Sequence, residues 1–135
     1  MEIGATKSVQ DRLKTTKIEE SKGASLVFCW DTHLTKIKGR NVLFIVNASN
    51  RYTIAMTDIE PRNWNYYAMY ISRVIHGVMQ EMGYSEEQIA QYFKMSGDTT
   101  VTKTHGRKSV GGINRMVMDA QYFGCLLYTS DAADE

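Results

Sequence analysis

The segment Thr104-His105-Gly106-Arg107-Lys108-Ser109-Val110-Gly111-Gly112-Ile113-Asn114-Arg115 holds the most unusual local chemistry of the chain. It places Lys103, His105, Arg107, Lys108 and Arg115 around the expected N-terminus of a helix. Such an end presents unpaired N–H groups and a partial positive charge, and so favours anions. Two adjacent glycines would let a phosphate come close to the backbone. In this reading Arg107, Lys108 and Arg115 contact phosphate, on a nucleic acid or another phosphate-bearing ligand, and Asn114 and Thr104 give polar support. A plainer reading carries slightly more weight. In it Ser109 caps the helix, the glycines allow tight packing and the charges are solvated, because charge alone specifies little. The segment is not a P-loop, since its glycines follow Lys108-Ser109 instead of preceding them.

Other constellations are weaker. Glu86 to Val101 has the outline of a helix-turn-helix, with Ala90 and Met95 where that motif wants small and buried residues. Against it, Thr99 to Thr104 is almost wholly β-branched and a poor helix. His33, His76 and His105 lie far apart, and no His-x-x-x-His or His-Glu-x-x-His occurs, so no metal site and no cofactor are expected. Asp31 and His33 are two apart and share a strand face, and a Cys/His/Asp arrangement with Cys29 can be drawn. Cys29 sits in an apolar run, however, where a buried inert thiol is the default, so no catalytic residue is assigned. The many aromatics, among them Trp30, Tyr52, Trp64 and Tyr92, could stack bases. More often such residues are core and rim. Tyr66 and Tyr70 are expected to be an exposed pair.

These residues must be positioned by a small set of elements. Glu2–Ala5 reads as a short strand. Ser8 to Lys14 suits a helix capped by Ser8, with Val9 and Leu13 on one face. The run Leu26–Trp30, the alternation His33–Lys38, the five apolar residues Val42–Val46 and the stretch Tyr52–Met56 imply an antiparallel meander with short polar turns. Pro61 then opens a long amphipathic helix through Met82, with Trp64, Tyr67, Ile71, Val74, Ile75 and Val78 at helical spacing. Gly83 ends it, and Ser85-Glu86-Glu87-Gln88 is a capping box for the next helix, which Gly97 breaks. Thr99–Thr104 reads as a strand at the sheet edge, and Ser109 to about Phe123 as a final helix. The expected class is α+β: a small antiparallel sheet, made of a three-stranded meander plus edge strands, packed on one face against three to four helices.

The run Cys125-Leu126-Leu127-Tyr128-Thr129-Ser130-Asp131-Ala132-Ala133-Asp134 reads as one frame of a translated sequencing-library adapter. Residues 125–135 are therefore expected to be a non-native tail on a single domain, 1–124, cut off after Gly124, from assembled environmental or bacterial DNA. The tail holds Asp131, Asp134 and Glu135 and no Lys or Arg, so residues 1–124 carry 16 basic and 12 acidic residues, a formal charge of +4. Cys125 goes with the tail, and the one remaining thiol, Cys29, fits a reducing cytoplasm. Met1 to Lys22 has no signal-peptide core, and no apolar run is long enough to span a bilayer, so no membrane partner is expected.

Gly4-Ala5-Thr6-Lys7, then Trp30, then Arg40 with Leu43-Phe44-Ile45-Val46-Asn47 occur in an order that resembles the DUF6933 family of small bacterial proteins of unknown function. Thr104, Arg107, Val110, Gly111, Gly112, Ile113 and Asn114 match the family's closing signature, except that Gly106 stands where the family usually has Asn. The resemblance implies no known reaction, cofactor or catalytic residue. It favours a strand followed by a helix over the helix-turn-helix, and makes Trp30, Arg40, Asn47, Arg107 and Asn114 candidates for a shared site. The expected function is a cytoplasmic binding module for nucleic acid or a phosphate-bearing ligand. The alternatives are an enzyme acting on a nucleotide or phosphorylated substrate, or a protein-interaction partner in a mobile-element or plasmid system. The enzyme alternative requires Trp30, Arg40, Asn47 and Arg107 to converge on one concave pocket.

Overall fold

The structure is a computed structural model that describes residues 1–14, 16–105 and 128–129. Its elements are β1 (Glu2–Ala5), α1 (Lys7–Gln10), β2 (Cys29–Ile37), β3 (Arg40–Asn47), β4 (Thr53–Thr57), α2 (Pro61–Asn65), α3 (Tyr67–Glu81), α4 (Glu86–Ser96), β5 (Thr100–Thr102) and β6 (Tyr128–Thr129). The chain is thus α+β. The expected final helix from Ser109 lies outside the described residues.

The meander forms as its alternation predicts. β2 and β3 pair antiparallel from Trp30↔Asn47 to Ile37↔Arg40, and β3 and β4 from Val46↔Thr53 to Val42↔Thr57. Lys38 and Gly39 close the first hairpin, both with positive φ (51° and 81°). That is the left-handed pair a two-residue turn needs to match strand twist. At the second turn the Asn47 side chain accepts hydrogen bonds from the N–H groups of Ser49 and Asn50 (2.9 and 3.2 Å). Asn47 thereby replaces ladder partners with an Asx turn.

The sheet is mostly antiparallel, as expected from the meander, but the pairings that flank the meander are parallel. Its strand order is β5-β1-β2-β3-β4-β6. β1 lies parallel to both β2 and β5, and β6 lies parallel to β4. Parallel neighbours need long connections. Residues 6–28 supply one, and the helical stretch before β5 supplies the other. β6 falls within the tail expected to be foreign. β5 takes the edge position foreseen for Thr99–Thr104, and a strand there replaces the helix-turn-helix.

The main core lies between the sheet and the helices. Ile3, Leu43, Ile45, Ile54 and Met56 meet Val9 and Leu13 from the α1 region and Tyr67, Ile71, Val74 and Ile75 from α3. Val42, Phe44, Val46 and Ala55 form a second buried cluster on the other face. Three local expectations are corrected. The long helix is broken at Tyr66, whose backbone leaves the helical region (φ −124°, ψ 44°). Tyr70 is buried and only Tyr66 is exposed, because Tyr70 falls on the turn that faces the sheet. Thr6, not Ser8, precedes α1, and the Ser8 hydroxyl instead accepts from the Leu34 N–H.

Candidate functional site

Trp30 and Asp31 are neighbours on β2, so their side chains point to opposite faces of the sheet. Each marks a distinct polar arrangement.

On the helix-covered face, Trp30 lines a recess of about 290 Å³ between the β3–β4 turn, the second half of α3 and α4. Asn47 and Tyr52 come from the turn, Val78 and Met79 from α3, and Tyr92 from α4. Ser85 fixes the start of α4 through the predicted capping box: its side chain accepts from the Gln88 N–H, while Gln88 Oε1 accepts from the Ser85 N–H. That sets the register that brings Tyr92 over β2. Trp30 Nε1 donates to the Tyr92 hydroxyl (3.0 Å), which donates to the Val27 carbonyl (2.7 Å). Asn47 Nδ2 donates to the same carbonyl (3.1 Å). Burial pushes the Tyr92 phenol above its ordinary pKa, so it remains a donor at neutral pH. One wall of the recess is therefore held by a continuous chain of hydrogen bonds. Asn50 and Gln88, also in the lining, have amide nitrogens that those bonds do not use.

On the opposite face, the parallel register sets Glu2 beside Cys29 and Gly4 beside Asp31. Asp31 is fully buried and Glu2 nearly so. Between the two carboxylates sits the His105 ring, just beyond β5. Its Nδ1 lies 2.6 Å from Asp31 Oδ1 and its Nε2 2.8 Å from Glu2 Oε1. The His105 N–H also donates to both Asp31 oxygens (3.1 and 3.2 Å). Ionised carboxylates only accept, so both ring nitrogens carry protons and the ring is an imidazolium. Burial by itself would push His105 down; hydrogen bonds to Asp31 and then Glu2 outweigh it and raise the pKa. For Glu2, burial pushes up, and hydrogen bonds from Ser21, His105 and the Lys22 N–H outweigh it, so its carboxyl ends below the usual range.

Gly4 is what makes room. A Cβ there would stand 1.9 Å from Asp31 Oδ1 and 3.1 Å from the Thr104 Cα. Cys29 is fully buried next to Glu2, as its apolar run led one to expect. Burial first, and then the Glu2 and Asp31 charges, push its pKa to about 11. The Cys29/Asp31/His33 triad does not form. Asp31 turns to His105, while His33 is hydrogen-bonded to Thr6 Oγ1 at 2.8 Å. Among the described residues, Glu2, Cys29 and His105 bring potential metal-ligand atoms within 4.8 Å of one another.

Trp30 and Asn47 thus meet, facing each other in register. Arg40 does not join them. It starts β3 at the other end, seven steps from Asn47, or roughly 24 Å along an extended strand. There it pairs with Asp58 (2.5 Å) in a separate polar recess with Arg12 and Trp64. The convergence required by the enzyme alternative therefore fails at Arg40. Thr104 is half-buried against the Gly4–Asp31 contact. Arg107, Lys108, Asn114 and Arg115 lie outside the described residues. Sequence reasoning missed Glu2 and missed His105 as a buried group. The available signal was Gly4 and Asp31 on adjacent strands, which speaks only once the parallel register is known.

Among the described residues, no helix is long and apolar enough to cross a membrane. No curated protein and no solved structure matches the chain. A family model described as a domain of unknown function, DUF6933, matches residues 2–134. With nearly its whole length so matched, the chain belongs to the DUF6933 family.

Proposed function

We propose that the protein is a binding module whose recess over Trp30 takes a small, flat ligand. The observation that carries this reading is the combination of apolar volume with a wall held rigid by the Trp30–Tyr92–Val27 hydrogen-bond chain. At about 290 Å³ the recess accommodates one ring system and not a macromolecular segment. Its aromatic lining favours stacking. The spare amides of Asn50 and Gln88 on its rim suit a ring with hydrogen-bonding edges, such as a nucleobase. Trp64→Phe leaves Trp30 as the sole tryptophan reporter. Titrating that variant with nucleosides and nucleotides should shift or quench Trp30 emission in a saturable way, and Tyr92→Ala should abolish the response. A flat emission across the panel rejects the reading.

A second reading keeps the basic segment in play. Residues 1–124 carry a formal charge of +4, and His105, the last described residue before that segment, is seated on Asp31. Arg107, Lys108 and Arg115, with Asn114 and Thr104, would then hold phosphate on a nucleic acid. Such binding weakens steeply with salt. Absence of retention on heparin or mixed-sequence DNA at low salt rejects this reading and leaves the recess reading untouched.

A further inference from the structure

We propose that Glu2, Cys29 and His105 form a three-ligand site for a divalent transition-metal ion of zinc type, with Asp31 holding the histidine ring from behind. Glu2 Oε1 is the meeting point. Around it lie His105 Nε2 at 2.8 Å, Cys29 Sγ at 4.0 Å and the Ser21 hydroxyl at 2.7 Å. Nitrogen, thiolate sulfur and carboxylate oxygen are all ordinary zinc donors. Metal–ligand lengths of about 2.0–2.3 Å put tetrahedral neighbours about 3.3–3.6 Å apart. The nitrogen–oxygen distance must therefore open by about half an ångström, and the sulfur–oxygen distance close by about as much.

The surroundings fit an ion better than they fit packing alone. Cys29 is completely buried, yet its sulfur lies among oxygens, with the Ser25 carbonyl at 3.4 Å, the Ala24 carbonyl at 3.8 Å and Glu2 Oε1 at 4.0 Å, where an apolar filler gains nothing. Asp31 takes the proton on Nδ1 and leaves Nε2 aimed at Glu2 and Cys29. A carboxylate behind a ligating histidine is the usual means of fixing its tautomer and orientation. The charge balance also closes. One divalent ion enters, one proton leaves His105 Nε2 and one leaves the Cys29 thiol, with nothing oxidised or reduced. With Glu2 and Asp31 as carboxylates throughout, these four side chains together with the ion carry one net negative charge in both states. Ser21 and Lys22, which hydrogen-bond to Glu2, are themselves exposed, so this is the side of the cluster nearest to solvent.

The test uses the full chain, stripped of metal and titrated with cobalt(II) as a coloured stand-in for zinc. One equivalent should bind with tetrahedral visible absorption and a near-ultraviolet thiolate-to-cobalt band, both erased by zinc. Cys125→Ser should keep the band. Cys29→Ser should lose it, and so should Cys29→Ala, which suits an apolar buried position if serine proves poorly folded. Asp31→Asn should keep the band and weaken cobalt binding about 10–100-fold. X-ray absorption of zinc in the Cys125→Ser chain needs no change to the site and should count one sulfur at about 2.3 Å. Absence of cobalt binding, a band that follows Cys125, or a zinc shell without sulfur would overturn the proposal.

Discussion

Trp30 and Asp31 are consecutive residues, yet one faces an open recess and the other a dry ionic cluster. Around Trp30 the polar groups form a chain that leaves amides to spare on the rim. Around Asp31 both carboxylates and both nitrogens of His105 are taken up by one another. A group already satisfied in a buried network holds structure; a group with unused capacity beside empty volume can hold a ligand. One strand thus carries a hydrogen-bonded buried network on one face and an open recess on the other.

The sharpest way to break this contrast is Gly4→Ala. The added methyl would stand 1.9 Å from Asp31 Oδ1, so the carboxylate must leave its place under His105. Separating a buried, hydrogen-bonded charge pair costs about 3–5 kcal/mol, and urea denaturation should show a loss of that size or failure to fold. A loss under about 1 kcal/mol would mean the cluster is slack, and the contrast between the faces would collapse. Next in size is Asn47→Ala, which removes two turn hydrogen bonds and one to Val27, all at a buried side chain. It should cost about 1–3 kcal/mol in the same assay. It should also perturb Trp30 emission, which Gly4→Ala in its folded fraction should not.

Tyr92→Phe keeps the ring and cuts the chain from Trp30 to Val27. The expected cost is about 1 kcal/mol, with a clear change in Trp30 emission and unchanged thermal behaviour of the ionic face. The smallest effect is in pH. Burial lowers the pKa of His33 below its ordinary 6.5. The folded state therefore binds fewer protons than the unfolded chain, and stability falls as pH drops below about 6.5. His33→Gln should flatten this part of the pH–stability curve in denaturant titrations. A curve unchanged by that substitution would remove His33 from the pH account.

Much of this was legible in the residues. The alternation of His33–Lys38 and the apolar run Val42–Val46 mark the meander. Ser85 with Gln88 marks the start of α4. These signals are local, carried by side-chain period or turn chemistry. What escaped is what distance decides. Asn63 and Asn65 are poor helix formers beside Tyr66, but the apolar period runs on through them, and Tyr70 is buried by the direction the chain takes afterwards. The parallel seat of β1, and with it the pairing of Glu2 with His105, joins residues 103 positions apart, beyond the reach of any periodic pattern.

The place of β1 between β2 and β5 also sets a timetable for the nascent chain. β1 has a partner once β2 has been made, but its other edge stays open until β5 follows, with Thr100 coming 71 residues after Cys29. An open edge is a template for unwanted pairing between molecules, and an inward-pointing charge is one way to blunt it. Until His105 arrives, Glu2 is such a charge. The residue that helps lock the finished sheet is thus also its guard against aggregation while the sheet is unfinished.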